Sequence, residues 1–149
     1  MKIFLDTNIL LDLLLSGRHN SINSQKAVLN YSDEGYKFVV SGLSLATIFF
    51  IGAERSKKWL ETKEFIKAIH INRDIWEIYD LSTSDRNWIF SYMDENYGSD
   101  YEDLEQYICA KNSGSKAIIT NDKNFPNIDI PLIRTDPNLQ NHQPNLPRA

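Results

Sequence analysis

The sequence holds a single cysteine, Cys109, and only three histidines, His19, His70 and His142, far apart from one another. One thiol cannot close an internal disulfide, so a reducing, cytoplasmic setting is expected. Cys109 itself reads as a small buried apolar residue on a helix. So few scattered soft ligands exclude a zinc site of ordinary spacing. There is no glycine-rich phosphate loop. Ser41, Ser44 and Ser91 lack the flanking glycines of a serine hydrolase. No apolar run approaches the roughly 18 residues of a membrane span. The apolar N-terminus is interrupted at Asp6 and Asp12, which argues against a signal peptide. A net charge of −4 excludes wholesale coating of nucleic acid but leaves room for a local basic groove.

What remains is an ordinary apolar content in 149 residues, enough for one domain with a real core. Residues 1–134 are expected to form that domain. Residues 135–149, rich in Pro, Asn and Gln, read as an exposed polar tail. Short apolar runs at Ile3–Leu5, Lys37–Ser41 and Ala117–Thr120 suit buried strands, with Ile75–Leu81 a further strand and Pro131–Ile133 a short edge strand. Between them, helical spacing predicts helices over Thr7–Leu15, Ser21–Tyr31, Leu43–Arg55, Lys57–Ile69, Ser82–Met93 and Ser99–Asn112. Alternating strands and helices imply parallel βαβ units and an α/β sandwich.

Two strands end alike. The run Ile3–Leu5 opens into Asp6-Thr7-Asn8, and Ala117–Thr120 opens into Asn121-Asp122-Lys123. In a parallel sheet both acids emerge at the carboxyl edge, where such folds bind ligands. Asp6 also suits a plain helix cap. A third cluster, Ser99-Asp100-Tyr101-Glu102-Asp103, starts a helix. Ser99 and Glu102 fit a capping box, and acids favour a helix N-terminus. Asp103 fits that explanation poorly, because it shares a helix face with Leu104, Tyr107 and Ala110. A carboxylate turned inward needs a cation or a pairing group. Carboxylates gathered at one edge stay ionised together only around a divalent ion, and oxygen donors favour Mg²⁺ or Mn²⁺.

Taken together, Ile-Phe-Leu-Asp-Thr-Asn at 3–8, Asp-Tyr-Glu-Asp-Leu-Glu-Gln-Tyr at 100–107 and Ile-Ile-Thr-Asn-Asp-Lys-Asn-Phe at 118–125 resemble PIN domains, especially the small toxins of VapC type. The Ser41–Ile51 stretch is similar to the strand-to-helix junction of one PIN subgroup. The resemblance implies a three-layer α/β/α sandwich around a mainly parallel sheet of four to five strands. It implies a Mg²⁺- or Mn²⁺-dependent endoribonuclease, the toxin of a toxin–antitoxin pair, with RNA as substrate, a cognate antitoxin as partner and a homodimeric assembly. By matching position, Asp6, Asp103 and Asp122 would be the catalytic metal-binding acids, with Asp100 a further ligand. Thr7, Asn8, Thr47 and Asn121 would support the acids or the substrate phosphate. In that reading Lys111, Lys116 or Lys123 would meet the RNA backbone, although each taken singly suits a solvated surface charge better, and Tyr101 and Tyr107 suit core packing better than base stacking. Thr47 departs from the pattern, standing where relatives usually carry an acid. A neutral side chain there leaves open a degenerate PIN domain that binds RNA or a protein without cleavage.

Overall fold

A computed structural model describes residues 1–139 and 146–147. Five strands, β1 (Lys2–Leu5), β2 (Lys37–Ser41), β3 (Trp76–Tyr79), β4 (Ala117–Ile119) and β5 (Leu132–Ile133), form one sheet in the order β3-β2-β1-β4-β5. Every pairing is parallel. The central strands are apolar throughout because both faces are covered. Alternation along them sends Ile3, Leu5, Phe38, Val40, Ala117 and Ile119 to one core and Phe4, Val39 and Ile118 to the other.

Helices α1 (Thr7–Leu14), α2 (Ser21–Asp33), α3 (Gly42–Phe49) and α4 (Trp59–Ile71) cover the first face through Ile9, Leu10, Val28, Ile48 and Ile69. Helices α5 (Thr83–Glu95) and α6 (Tyr101–Asn112) cover the second, where Tyr107, Cys109 and Ala110 meet the sheet and Ile89 packs on Leu104 and Ile108. The expected α/β/α sandwich is therefore observed, with five strands. Cys109 is fully buried and its thiol is pushed up to about 12 by that burial, as an inert core residue requires. No helix among the described residues is long and apolar enough to cross a membrane.

The winding fixes where chemistry can sit. From β1 the chain moves outward to β2 and β3, then returns to place β4 on the other side of β1. The carboxyl ends of β1 and β4 flank the point where the winding reverses. Open parallel sheets bind their ligands in that crevice.

Some elements differ from the sequence pattern. The single helix expected over Leu43–Arg55 is α3 followed directly by a π-helical turn, Phe50–Arg55. A Cβ on Gly52 would lie 2.3 Å from Thr62 Oγ1 and 2.9 Å from Leu14 Cδ2, so glycine lets this wide turn seat against α4 and α1. The strand expected over Ile75–Leu81 shortens to four half-buried residues, as suits a sheet edge. Thr135, placed in the polar tail, is buried, and Leu146 packs on the first core. The Tyr36 hydroxyl donates to the Pro147 carbonyl. The rest of that stretch, 140–145 and 148–149, lies outside the described residues.

Helix α5 begins with a capping box. The Ser82 hydroxyl accepts from the Asp85 amide at 3.1 Å and Asp85 accepts from the Ser82 amide at 2.9 Å. The buried Asp85 carboxylate also accepts from the Tyr79 hydroxyl at 2.9 Å and from Asn112, tying β3 and α6 to this helix. Burial alone would raise its pKa; these hydrogen bonds outweigh it and hold the group below the usual carboxylate range. We predict that Asp85→Ala lowers unfolding free energy by about 2 kcal/mol, since a cap is lost and three donors lose their acceptor. Urea denaturation checks this. The depressed pKa means that the wild-type advantage holds above about pH 4 and vanishes as the pH falls further.

Candidate active site

The crevice at the β1–β4 junction is a pocket of about 360 Å³. Four groups of residues from distant parts of the chain line it. Asp6, Thr7, Asn8 and Leu11 come from the end of β1 and from α1. Thr47 and Ile51 come from α3 and the π-helical turn. Asp100, Glu102 and Asp103 come from the start of α6, and Asp122 from the loop after β4. Asp6, Asp100, Asp103 and Asp122 are thus brought together, as are Thr7, Asn8 and Thr47. Asn121 is not on the lining.

Asp6 does two jobs. It caps α1, its Oδ1 accepting from the Thr7 amide at 2.7 Å, and it stands buried at the pocket floor. Its Oδ2 accepts from the Thr120 hydroxyl at 2.8 Å. That hydroxyl also accepts from the Asp122 amide at 3.1 Å. One threonine therefore links the acids at the ends of β1 and β4. Burial pushes Asp6 up to about 6, against the lowering effect of the Thr120 and Thr7 hydrogen bonds, and the charges of Asp122 and Glu102 add to the rise.

Asp103 lies on the inner face of α6, half-buried. Its pKa is raised first by burial, then by a hydrogen bond with Asp122, then by the negative charges of Asp122, Asp100 and Asp6. Two carboxylates within hydrogen-bonding reach share a proton unless a cation replaces it. Asp100 is exposed and is the cap of α6, accepting from the Asp103 amide at 3.0 Å. The capping box expected from Ser99 is therefore corrected: α6 starts at Tyr101, and the Ser99 hydroxyl donates to the Asn96 carbonyl at 2.6 Å.

The first turn of α1 is held by side chains that the sequence pattern did not single out. The Thr7 hydroxyl meets Ser44 Oγ at 2.7 Å, and Gln106 Nε2 donates to the same Ser44 oxygen at 3.0 Å. All three are buried, so this relay fastens α1, α3 and α6 around the acids. Ser44 fills one helix turn with Thr47, but Thr47 itself is exposed at the pocket rim, 3.5 Å from the Leu43 carbonyl. Asn121 turns to residues 135–136: its Nδ2 donates to Thr135 Oγ1 at 2.7 Å, and its Oδ1 accepts from the Thr135 and Asp136 amides at 3.0 and 3.1 Å. Tyr107 is buried as expected, whereas Tyr101 is exposed and tilts against Phe90. Lys111 is engaged with Asp129.

The donor set is all oxygen, negative and partly desolvated, which suits a hard divalent ion. Among the described residues no three acidic, histidine or cysteine side chains stand, as they are placed, where they could hold a metal ion together, so binding one would need the acids to draw in. The cluster is open on its solvent side, as a site that must also admit a phosphodiester would be. The raised pKa values carry a sign. A carboxyl with a higher pKa folded than unfolded binds more protons in the native state, so stability falls as pH rises. We predict that metal-free protein loses stability at this site from about pH 4, through about 6 as Asp6 ionises and on towards about 8 as Asp103 does. Asp6→Asn removes the Asp6 part of that decline, and Mn²⁺ restores stability to the parent on its alkaline side. Melting temperatures in chelator and in Mn²⁺ check this.

A PIN-domain family model matches residues 3–131. The chain is 26% identical over 141 residues to Ribonuclease VapC1 of Aquifex aeolicus, covering 91% of each. Among solved structures it resembles VapC20 of Mycobacterium tuberculosis, described as a Sarcin-Ricin loop cleaving toxin. The TM-score is 0.68 at 14% identity, over 83% of this chain and 92% of that one. A toxin–antitoxin complex from Klebsiella pneumoniae gives a TM-score of 0.66 at 20% identity, over 89% and 97% of the two chains.

Proposed function

The chain belongs to the PIN-domain family, and on that premise we propose that it is a Mg²⁺- or Mn²⁺-dependent endoribonuclease, the toxin of a toxin–antitoxin pair. The observation that carries this reading is the convergence of Asp6, Asp103 and Asp122 in one pocket from three distant segments. Of the relatives, one is named a ribonuclease and another is a toxin solved with its antitoxin. A cognate antitoxin as inhibitor and a homodimeric assembly belong to the same proposal.

Asp6, Asp103 and Asp122 would hold the ion, with Asp100 at the pocket mouth as a further oxygen donor. When bound, such an ion activates water and stabilises charge on a phosphoryl oxygen during in-line hydrolysis. The chain supplies the rest. The Thr120 hydroxyl holds the Asp6 carboxylate and the Asp122 amide at fixed spacing. The Ser44–Gln106 relay fixes Thr7, keeping the α1 end of the pocket rigid. Asn8, exposed on the lining, can donate its amide to a substrate phosphate. Glu102 adds a charge that favours a cation and repels an unaccompanied phosphate.

We predict Mn²⁺-dependent cleavage of structured RNA, abolished by chelator. Asp6→Asn should lower the rate by about a hundredfold or more, because one ligand and its charge are lost. Equal activity of parent and variant refutes the mechanism. Thr47 favours the second reading, a domain that binds without cutting, since it borders the pocket with no charge. Thr47→Glu decides between them. If the glutamate creates Mn²⁺ affinity that the parent lacks, the parent is the non-cleaving form; if the parent both binds Mn²⁺ and cleaves RNA, it is not.

A further inference from the structure

We propose that Arg134, beyond the stretch matched by the family model, is a positioning residue that sets the place of Asp122 from behind the pocket. This rests on the reading of Asp122 as a metal-binding acid. The half-buried guanidinium sits directly after β5 and donates from Nη1 to two carbonyls at once, Thr120 O at 2.9 Å and Asp122 O at 2.6 Å. These carbonyls bracket the turn that carries the acid. Thr120 is also the residue whose hydroxyl joins Asp6 to the Asp122 amide. A shift of this turn would therefore move both acids.

A second set of bonds holds the same turn to the same segment. Asn121 grips Thr135 and Asp136 by three hydrogen bonds, two of them from backbone amides. Thr135 in turn meets Ser24 Oγ at 2.8 Å, and the Ser24 hydroxyl donates to Asp12 Oδ2 at 2.7 Å. Asp12 is buried and paired with Arg18 Nε at 2.8 Å. The turn is thus anchored through residues 134–136 to the junction of α1 and α2, at the back of the first helical layer. Nothing in this chain of bonds is needed to satisfy the acids themselves. It fixes the backbone from which Asp122 projects.

Charge and geometry predict opposite signs for the loss of Arg134. Its positive charge lies beside Asp122 and Asp6. As a charge alone it opposes a cation in the pocket, and its removal would tighten metal binding. As a clamp it orders a ligand, and its removal weakens binding. Partners that orient metal ligands typically contribute 10- to 100-fold in affinity.

The test is Mn²⁺ affinity by titration calorimetry for the parent, Arg134→Met and Arg134→Lys, with amide hydrogen exchange over 120–124 in metal-free protein. The expected result is a loss of affinity of about tenfold or more in Arg134→Met. Arg134→Lys keeps the charge but puts it on a flexible stem without the rigid guanidinium plane that aims Nη1 between the two carbonyls, so it should also bind more weakly than the parent. Exchange at the 120–124 amides should rise in both variants. Tighter or unchanged Mn²⁺ binding in Arg134→Met overturns the proposal. A parent that binds no Mn²⁺ sinks the metal-nuclease reading instead. Exchange then decides for Arg134 alone: faster exchange confined to 120–124 supports the clamp, and unchanged exchange overturns it. Should Arg134→Met fail to fold, Arg134→Lys carries both measurements.

Discussion

Mutual repulsion of carboxylates is the constraint that shapes this molecule. Asp6, Asp103 and Asp122 would each be ordinary on a surface. Gathered at one sheet edge and partly removed from water, they cannot all be charged without compensation. Most of the polar structure around them can be read as a response to that cost. Thr120 donates to one acid and accepts from the amide of another. Thr7 donates its amide to Asp6 while its hydroxyl is tied to Ser44. Asp6 also caps α1, and Asp100 beside it caps α6, so oxygen atoms that repel one another satisfy amides that would otherwise lack acceptors. The site is a compromise between holding negative oxygens close and keeping the backbone satisfied.

Much of this was legible in the sequence, for reasons tied to particular residues. Ile3–Leu5 and Ala117–Ile119 are apolar on both faces because their neighbours bury both faces, and that pattern locates the central strands without knowledge of the fold. Once two such strands end in Asp, parallel pairing puts the acids together. Asp103 could be found because it occupies the helix face that Leu104 and Tyr107 bury. The cap of α6 was misplaced by one residue because Ser99 and Asp100 both make good caps, and only the path of the preceding loop selects between them. The role of Thr120 left no local trace: a threonine closing a strand looks the same whether or not its hydroxyl faces an acid. Ser44 and Gln106 are 62 residues apart, and no periodicity in either helix reports their meeting. The engagement of Thr135 and Asp136 was hidden by composition, since they open a stretch rich in Pro, Asn and Gln that suits a solvated tail.

The two faces of the sheet divide the labour. Four helices lie on one side and two on the other, and the pocket draws on both, with α1 and α3 from the first and α6 from the second. Thr7, Ser44 and Gln106 stitch these layers at the sheet edge, where apolar packing has ended and only polar contacts remain to hold register. A helix that slid along the sheet would break this relay before it disturbed either core. The geometry of the acids is thereby coupled to the alignment of the layers, and less to the depth of the packing.

The strand order has a consequence in time. Thr120 lies 114 residues from the acid it contacts, and β4 must slip in beside β1 before either belongs to a pocket. A ribosome making this chain releases Asp6 first and Asp122 last. Until β4 and the loop after it have emerged, Asp6 lacks both the Thr120 hydroxyl and the Asp122 carboxylate. The pocket is therefore a late product of folding, assembled only once β4 has taken its place beside β1.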